Sequence, residues 1–296
     1  SCSTCSSKSS CSSATEGGSC STGTPTTREP MQADLHELSH VRSVIGVASG
    51  KGGVGKSMVT TLLAANLARK GLRVGILDAD ITGPSIPKAF GLEERLQGFD
   101  GGIFPSKTLQ LGIRIVSINL MLDDPEAPVL WRGPIVSGLV KQFYTDVLWD
   151  QMDVLLLDMP PGTGDVPLTV FQSIPLDGIV VVSTPQDLVS LIVKKARTMA
   201  TMMNVKVLGF VENMSFVKCP SCDLEHQVFG PGKTREAAAE LGVPLLDRVP
   251  LDPKITEAID AGQIESLEND YLSGAIAAIE SILQDKPELP MRLGHD

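Results

Sequence analysis

The sequence predicts an α/β fold with a doubly wound, mostly parallel sheet, and three features of its pattern predict it. Six short segments are almost wholly apolar, which is typical of strands buried on both faces; they are 44–48, 73–78, 153–158, 178–183, 205–211 and 245–249. Segments with helical character alternate with them, at 56–70, 134–148, 186–203, 232–242 and 269–283, after a short lead-in helix expected at 31–42. A glycine-rich turn joins the first strand to the first long helix. Together these features indicate a layered sheet with helices on both faces.

Composition divides the chain into three regions. Residues 1–30 are rich in Ser, Thr and Gly and nearly free of large apolar side chains. Such a segment cannot bury enough surface to offset its ordering entropy, so we expect a flexible, cysteine-rich arm. Residues 31–285 contain the predicted strands and helices and form the expected folded domain, and residues 286–296, with two prolines, form a loose tail.

Charge and hydropathy exclude some classes of function. The chain has 296 residues, 42% of them hydrophobic, so it can bury a sizeable core. Its net charge of −10 disfavours nucleic acid as a partner, because phosphate contacts need clustered Lys and Arg. No run of 18 apolar residues predicts a membrane span, and the N-terminus lacks the apolar stretch of a secretory signal. We therefore expect a cytoplasmic protein without a nucleic-acid or membrane partner.

The glycine-rich turn fits the phosphate-loop pattern G-x-x-x-x-G-K-[ST], in the strand-to-helix context that the pattern requires. Its glycines let backbone N–H groups approach phosphate oxygens, and the following helix points its positive end at them. Lys56 is expected to reach the β- and γ-phosphates of ATP, and the Ser57 hydroxyl to bind Mg²⁺. The predicted ATP-binding residues here are Gly50, Lys51, Gly52, Gly53, Val54, Gly55, Lys56, Ser57 and Met58.

A dinucleotide site is the competing interpretation of the same turn. Gly50, Gly52 and Gly55 also satisfy G-x-G-x-x-G, and Asp78 stands where a ribose-binding acid would lie. Lys56 and the serine after it decide against this, since a dinucleotide site has no use for an ammonium group and a Mg²⁺ ligand there.

Carboxylates follow two other predicted strands. Asp78 and Asp80 come at the end of the second strand, and Asp158 ends the apolar run 154–157. The carboxyl ends of strands line the ligand crevice of such sheets, so all three should face the nucleotide, with Asp158 acting on Mg²⁺. Gly162 lies in the following Pro- and Gly-rich loop and can bring its N–H toward the γ-phosphate.

Cys219 and Cys222 form a C-P-x-C turn, which brings two thiolates to one metal and suits zinc or an iron–sulfur cluster. Two thiolates are half of a four-ligand set. The simplest completion is the same turn from a symmetric partner, although the N-terminal arm could also contribute. Independent structural cysteines remain the alternative.

Lys51, directly after the first glycine of the loop, makes the chain resemble the deviant Walker ATPases of the MinD and ParA type. That resemblance implies that Lys51 crosses a homodimer interface to the partner's phosphates and that Asp80 positions the attacking water. The implied catalytic residues are then Lys51, Lys56 and Asp80. A cation supplied in this way would stabilise charge that develops during phosphoryl transfer.

The order of all the motifs over residues 40–283 is similar to that of the Mrp (ApbC-like) iron–sulfur carrier ATPases. The motifs are Gly50–Ser57, Asp78–Ser85, Trp131–Pro134, Asp158–Asp165, Asn213–Ser215, Cys219 with Cys222, Phe229–Gly230 and Val249–Asp252. The resemblance implies that Cys219 and Cys222 of two subunits hold a bridging [4Fe–4S] cluster, which is passed to apo-proteins. It also implies that Asn213 contacts adenine.

Two questions stay open at this point. Cys2, Cys5, Cys11 and Cys20 could bind a second cluster, or they could be incidental cysteines of a serine-rich arm. The alternative function is a ParA- or MinD-like positioning ATPase with structural zinc at the C-P-x-C pair, although the C-terminal helix lacks the basic face of a membrane anchor. A nucleotide-gated binding module is a third class, but the full set of lysines and carboxylates favours slow hydrolysis.

Overall fold

The structure is a computed structural model. It describes residues 33–80, 85–121, 133–162, 167, 172–185, 204–230, 232–240 and 242–289. The boundary of the arm at residue 30, the four N-terminal cysteines and the predicted helix at 186–203 lie outside these ranges and stay predictions.

Eight strands of the described chain form one sheet, in the order β12-β9-β8-β1-β7-β2-β6-β5. They are β1 (His40–Ser49), β2 (Val74–Asp78), β5 (Ser106–Lys107), β6 (Arg114–Ser117), β7 (Gln151–Asp158), β8 (Gly178–Ser183), β9 (Val207–Glu212) and β12 (Leu245–Arg248). Every pair is parallel except β5 with β6, which is antiparallel. The predicted α/β class with a mostly parallel sheet is confirmed.

Two small antiparallel pairs stand outside this sheet. They are β3 (Gln97–Phe99) with β4 (Gly102–Phe104), and β10 (Val217–Lys218) with β11 (Glu225–His226). The described helices are α1 (Lys56–Arg69), α2 (Ser85–Ala89), α3 (Gly133–Thr145), α4 (Thr234–Glu240), α5 (Pro253–Asp260) and α6 (Ser273–Gln284), with 3₁₀ turns at Ile118–Leu120 and Ile264–Ser266.

The core lies on both faces of the central strands. Successive side chains of β7 enter opposite clusters: Leu155 packs on the face with Phe143 and Trp149, and Leu156 on the face with Leu63 of α1. Burial on both faces explains why these strands are continuous apolar runs. The packed strands carry the polar residues described below at their carboxyl ends.

The lead-in helix predicted at 31–42 is wrong. Residues 33–39 contain no helix, and residues 40–42 already belong to β1. Val41 pairs with Met152 of β7, and the N–H of Ala33 donates to the carbonyl oxygen of Ser173 at 2.8 Å. Pairing with the sheet outweighs local helix propensity here, because it satisfies the backbone and buries Val41 in the same step.

Several short elements were not predicted, among them β6 and α5. β6 is only four residues long, and α5 begins with a proline, which is tolerated in the first helical turn. Asp252 caps α5 by accepting a hydrogen bond from the N–H of Lys254 at 3.0 Å. Lys286 is the residue at which the loose tail was predicted to begin. Its Nζ donates to Asp177 and to the carbonyl oxygen of Arg42, so the first residue of the predicted tail is bonded to the folded domain.

Candidate functional site

The phosphate loop runs from the end of β1 to the start of α1, at the carboxyl edge of the sheet. Gly53 and Gly55 have φ of 75° and 77°, a left-handed conformation that glycine adopts without strain. The loop borders a cavity of about 350 Å³, which is also lined by Asp80, Ser85, Pro161 and Ile259. Backbone N–H groups at the start of a helix favour an anion in such a space.

Lys56, the first residue of α1, is 5% exposed and lies among acceptors. Its Nζ is 2.7 Å from Oδ2 of Asp158 and 3.4 Å from Oδ2 of Asp80. The structure therefore brings together the lysine and two of the carboxylates that the sequence assigned to nucleotide chemistry. Neighbouring carboxylates compensate the cost of burying the ammonium group.

Asp158 at the end of β7 is fully buried and accepts three side-chain hydrogen bonds. Besides Lys56, the donors are the Ser57 hydroxyl at 2.6 Å and the Thr60 hydroxyl at 2.8 Å. Thr60 was missed by sequence reasoning, although its position one turn after Lys56 places it on the same face of α1. The hydroxyl and carboxylate oxygens of Ser57 and Asp158 are the hard donors that Mg²⁺ prefers, so they fit this cation.

Asp78 at the end of β2 lies behind Asp80. It accepts a hydrogen bond from the Ser117 hydroxyl at 2.7 Å and from the backbone N–H of Asp80 at 3.1 Å. Burial raises the pKa of the Asp78 carboxyl well above its usual range, and the nearby charge of Asp158 adds to this. In this arrangement Asp78 supports the backbone that carries Asp80.

The remaining loop residues follow the same edge. The N–H of Gly162, which was expected to approach the γ-phosphate, donates to the carbonyl oxygen of Ser49 at 2.9 Å. The carbonyl oxygen of Lys51 accepts from the Ser49 hydroxyl at 3.0 Å. Both contacts fix the loops on either side of the cavity to the last residue of β1.

Asn213 follows β9 and is fully buried. Its Nδ2 donates to the carbonyl oxygen of Val54 at 2.8 Å, so its amide supports the phosphate loop. A Cβ atom on Gly55 would fall inside van der Waals contact with the same Nδ2, so the close approach requires a glycine at this position. The adenine contact of Asn213 stays a prediction.

Cys219 and Cys222 lie in the turn between β10 and β11, as the C-P-x-C pattern predicts. The N–H of Cys219 donates to the carbonyl oxygen of Leu224 at 3.0 Å, and Asp223 accommodates the turn with a φ of 57°. The pKa of the Cys219 thiol is lowered, first by a hydrogen bond from the backbone N–H of Ser221 and then by bonds from Cys222. A thiol that ionises easily is suited to binding a soft metal.

The two thiols alone would supply half of a four-ligand metal site. Within the described part of the chain, no group of three or more His, Cys, Asp or Glu side chains could hold a metal ion. Cys222 is exposed and Cys219 is half-buried. Large apolar side chains around the turn are also exposed, namely Leu224, Val228, Phe229 and Leu251. An apolar patch of this kind is typical of an interaction surface.

These elements define a P-loop nucleotide hydrolase, with the phosphate loop between β1 and α1 and the buried carboxylate of Asp158 at the end of a neighbouring strand. The family model described as ParA, "NUBPL iron-transfer P-loop NTPase", matches residues 40–285. The chain belongs to this family, and it is a P-loop ATPase of the ParA type.

Relatives cover most of the chain. A protein of Clostridium perfringens named "Iron-sulfur cluster carrier protein" is 46% identical over 90% of this chain and 93% of its own length. A protein of the same name from Methanocaldococcus jannaschii is 50% identical over 76% of this chain and 78% of its own. The resemblance to iron–sulfur carrier ATPases drawn from the motifs is therefore confirmed.

Two solved structures show the same fold. A nucleotide-binding protein from Archaeoglobus fulgidus, in complex with ADP and with cobalt found in it, is 43% identical with a TM-score of 0.71, over 78% of this chain and 90% of its own. The cell division ATPase MinD of Pyrococcus furiosus is 19% identical with a TM-score of 0.53, over 82% of this chain and 98% of its own, and shows the fold alone. Among the described helices, none is long and apolar enough to cross a membrane.

Proposed function

We propose that this chain is a cytoplasmic, ATP-dependent carrier that binds an iron–sulfur cluster as cargo and transfers it to apo-proteins. One observation carries the proposal: the segment that follows β9 contacts the phosphate loop at its start and leads directly into the turn with two thiols. Asn213 in this connection contacts the loop, and Cys219 lies six residues further on. The names of the relatives support iron–sulfur cargo.

A homodimer completes both sites in this proposal. The described residues of each chain offer two thiols, whereas a tetrahedral metal ion or a cubane cluster takes four thiolate ligands. The exposed apolar side chains next to the turn suit burial against a second copy related by a twofold axis. The same axis would carry Lys51 of each subunit toward the partner's phosphates. The cargo is a [4Fe–4S] cluster, with zinc as the competing occupant of the thiols.

The residues of this chain divide the work of hydrolysis. Lys56 exchanges its contact with Asp158 for the β- and γ-phosphate oxygens of ATP, and Asp80 accepts a hydrogen bond from the attacking water. Ser57 and Asp158 would hold Mg²⁺, which when bound supplies positive charge to the transferring phosphoryl group. Lys51 of the partner stabilises the same developing charge from the opposite side.

Metal analysis of the full chain tests the proposal. The protein and its Cys219→Ser variant are purified anaerobically, and iron, sulfide, zinc and the mass of the oligomer are measured. The matched control replaces Cys2, Cys5, Cys11 and Cys20 with Ser, which removes the same kind of side chain from the arm. We expect the control to keep iron and sulfide in a dimer and Cys219→Ser in the control background to lose both.

Three results would contradict the proposal. Equal iron content with and without Cys219, in the background that lacks the four arm cysteines, would show that the turn holds no cluster. Zinc without sulfide would favour a structural metal and the positioning ATPase. A protein that stays monomeric with ATP and iron both supplied would remove the shared site.

A further inference from the structure

Four residues, Asn213–Phe216, separate the end of β9 from the start of β10. Contacts fix this segment along its length. Asn213 donates to Val54 in the phosphate loop, the N–H of Ser215 donates to the carbonyl oxygen of Val249 at 2.9 Å, and Phe216 accepts from the N–H of Leu251 at 2.8 Å. The segment is therefore a short connection between the nucleotide site and the cysteine turn, with hydrogen bonds at Asn213, Ser215 and Phe216.

Arg248, the last residue of β12, clamps the far end of this connection. Its Nε donates to the hydroxyl of Ser215 at 2.8 Å, and its Nη1 donates to Oε2 of Glu225 in β11 at 3.3 Å. Its guanidinium also lies 4.8 Å from the ring centre of Phe216. One side chain thus contacts the residue that precedes β10 and a residue of the returning strand β11.

A buried carboxylate holds Arg248 in turn. Glu212, at the end of β9, is almost fully buried, accepts a hydrogen bond from the Ser215 hydroxyl and lies 3.8 Å from Nε of Arg248. Gly232 leaves the room for this carboxylate, because a Cβ there would come within 2.6 Å of Glu212 Oε2. Since a buried charge needs a partner, Glu212 restricts where the guanidinium can lie.

The cysteine turn needs such support. Its two strands have two residues each and form only two residue pairs, Val217 with His226 and Lys218 with Glu225. An isolated two-stranded hairpin of this size is not stable in water. Glu225, which Arg248 holds, directly follows Leu224, the backbone acceptor of Cys219.

We propose that Arg248 is a positioning residue, which holds the turn of Cys219 and Cys222 at a fixed place relative to the phosphate loop. Ser215 and the contact of Asn213 with Val54 link Arg248 to the phosphate loop. The inference rests on the proposed function, since it takes these thiols as the metal ligands. It adds the residue that sets their position.

The test compares Arg248→Met and Arg248→Lys with Arg114→Met in the full chain. All three are made in the background with Cys2, Cys5, Cys11 and Cys20 replaced by Ser, so that metal binding reports the remaining two thiols. Arg114 is a matched control, because it is also partly buried and ion-paired, to Asp150 at 2.7 Å, but lies at the start of β6 on the opposite edge of the sheet. Co²⁺ is titrated into reduced protein and followed by its thiolate charge-transfer absorption. Amide hydrogen exchange of residues 217–226 is measured without metal.

We expect Arg248→Met to weaken Co²⁺ binding about tenfold, the loss expected when the hairpin loses its charge-assisted hydrogen bond from Arg248 to Glu225. Exchange in the hairpin should rise by about the same factor. Arg248→Lys keeps the charge but not the planar guanidinium group, so its Co²⁺ affinity and hairpin exchange should lie between those of Arg248→Met and the native chain. Arg114→Met should leave both quantities within about twofold, and all variants should bind ADP with native affinity, since their nucleotide site is intact.

Native Co²⁺ affinity and native hairpin exchange in a folded Arg248→Met variant would overturn the inference. If Arg248→Met does not fold, Arg248→Lys and Ser215→Ala, which removes the acceptor of Nε, carry the same comparison. A native chain without a Co²⁺–thiolate signal would instead refute the metal function of the thiols. The exchange measurement would then still decide whether Arg248 holds the hairpin.

Discussion

Replacing Lys56 with methionine should destabilise the protein even without nucleotide. The ammonium group is almost fully buried and lies 2.7 Å from the fully buried carboxylate of Asp158, with Asp80 at 3.4 Å. Removing one member of a buried pair leaves an uncompensated charge, which costs about 3–5 kcal/mol of unfolding free energy. In a domain of this size the melting temperature should fall by roughly 2–4 °C for each kcal/mol.

Urea unfolding of Lys56→Met, followed by far-ultraviolet circular dichroism, measures this cost. Lys88→Met is the matched control, because Lys88 pairs with Asp260 at the same distance of 2.7 Å but with both side chains more than half exposed. An exposed pair contributes about 0–1 kcal/mol, so the control should unfold almost like the native chain.

The double variant Lys56→Met with Asp158→Asn tests the cause. Since the amide of Asn carries no charge, adding it should recover part of the stability that Lys56→Met loses, and the two effects should not add. A Lys56→Met variant as stable as Lys88→Met would refute the reasoning. Full additivity in the double variant would do the same.

The remaining predictions concern turnover, the metal-directed carboxylate and acid stability. Lys51→Ala should lower the steady-state ATPase rate far more than ATP affinity by calorimetry, because its proposed contact forms across the dimer; an unchanged rate would overturn this role. Thr60→Val should raise the Mg²⁺ concentration needed for half-maximal ATPase activity several-fold, because Oδ1 of Asp158 loses its hydrogen-bond donor. Thr60→Ser keeps the hydroxyl and should have the Mg²⁺ dependence of the native chain. Equal Mg²⁺ dependence of the two variants would contradict this role of Thr60. Burial raises the pKa of Asp153, but hydrogen bonds from Arg73 outweigh burial, and the pKa is lowered. The contribution of Asp153 to the free energy of unfolding is therefore complete above the ordinary carboxyl pKa of about 3.9. It is lost as the pH falls through the lower pKa of the folded state. The stability difference between native protein and Asp153→Asn should therefore be constant above about pH 5 and shrink in acid; a difference that does not change with pH would exclude this linkage.

The phosphate loop and the cysteine turn could be predicted from sequence because their chemistry is local. Gly53, Gly55 and Lys56 act within one turn of backbone, and Cys219 and Cys222 are three residues apart. Local patterns of this kind can be recognised in the sequence without knowledge of any long-range contact. The central strands were also predictable, since burial on both faces makes them continuous apolar runs.

Features that depend on distant partners could not be predicted. The lead-in helix was wrong because residues 40–42 pair with β7, which lies more than 100 residues later in the chain. Thr60 and Arg248 resemble ordinary helix and strand residues until the fold places Asp158 and Glu225 beside them. For the same reason, sequence alone gave no indication that Asp78 would be enclosed by Ser117.

The pairing of Lys56 with Asp158 also has a consequence for the protein without nucleotide. Because the chain supplies its own counter-charge, the fold does not need a bound phosphate to neutralise its buried cation. The phosphate loop should therefore keep its conformation without nucleotide, because Asp158 already compensates the buried charge of Lys56. Nucleotide binding then exchanges one partner of the Lys56 ammonium group for another, and the fold does not depend on that exchange.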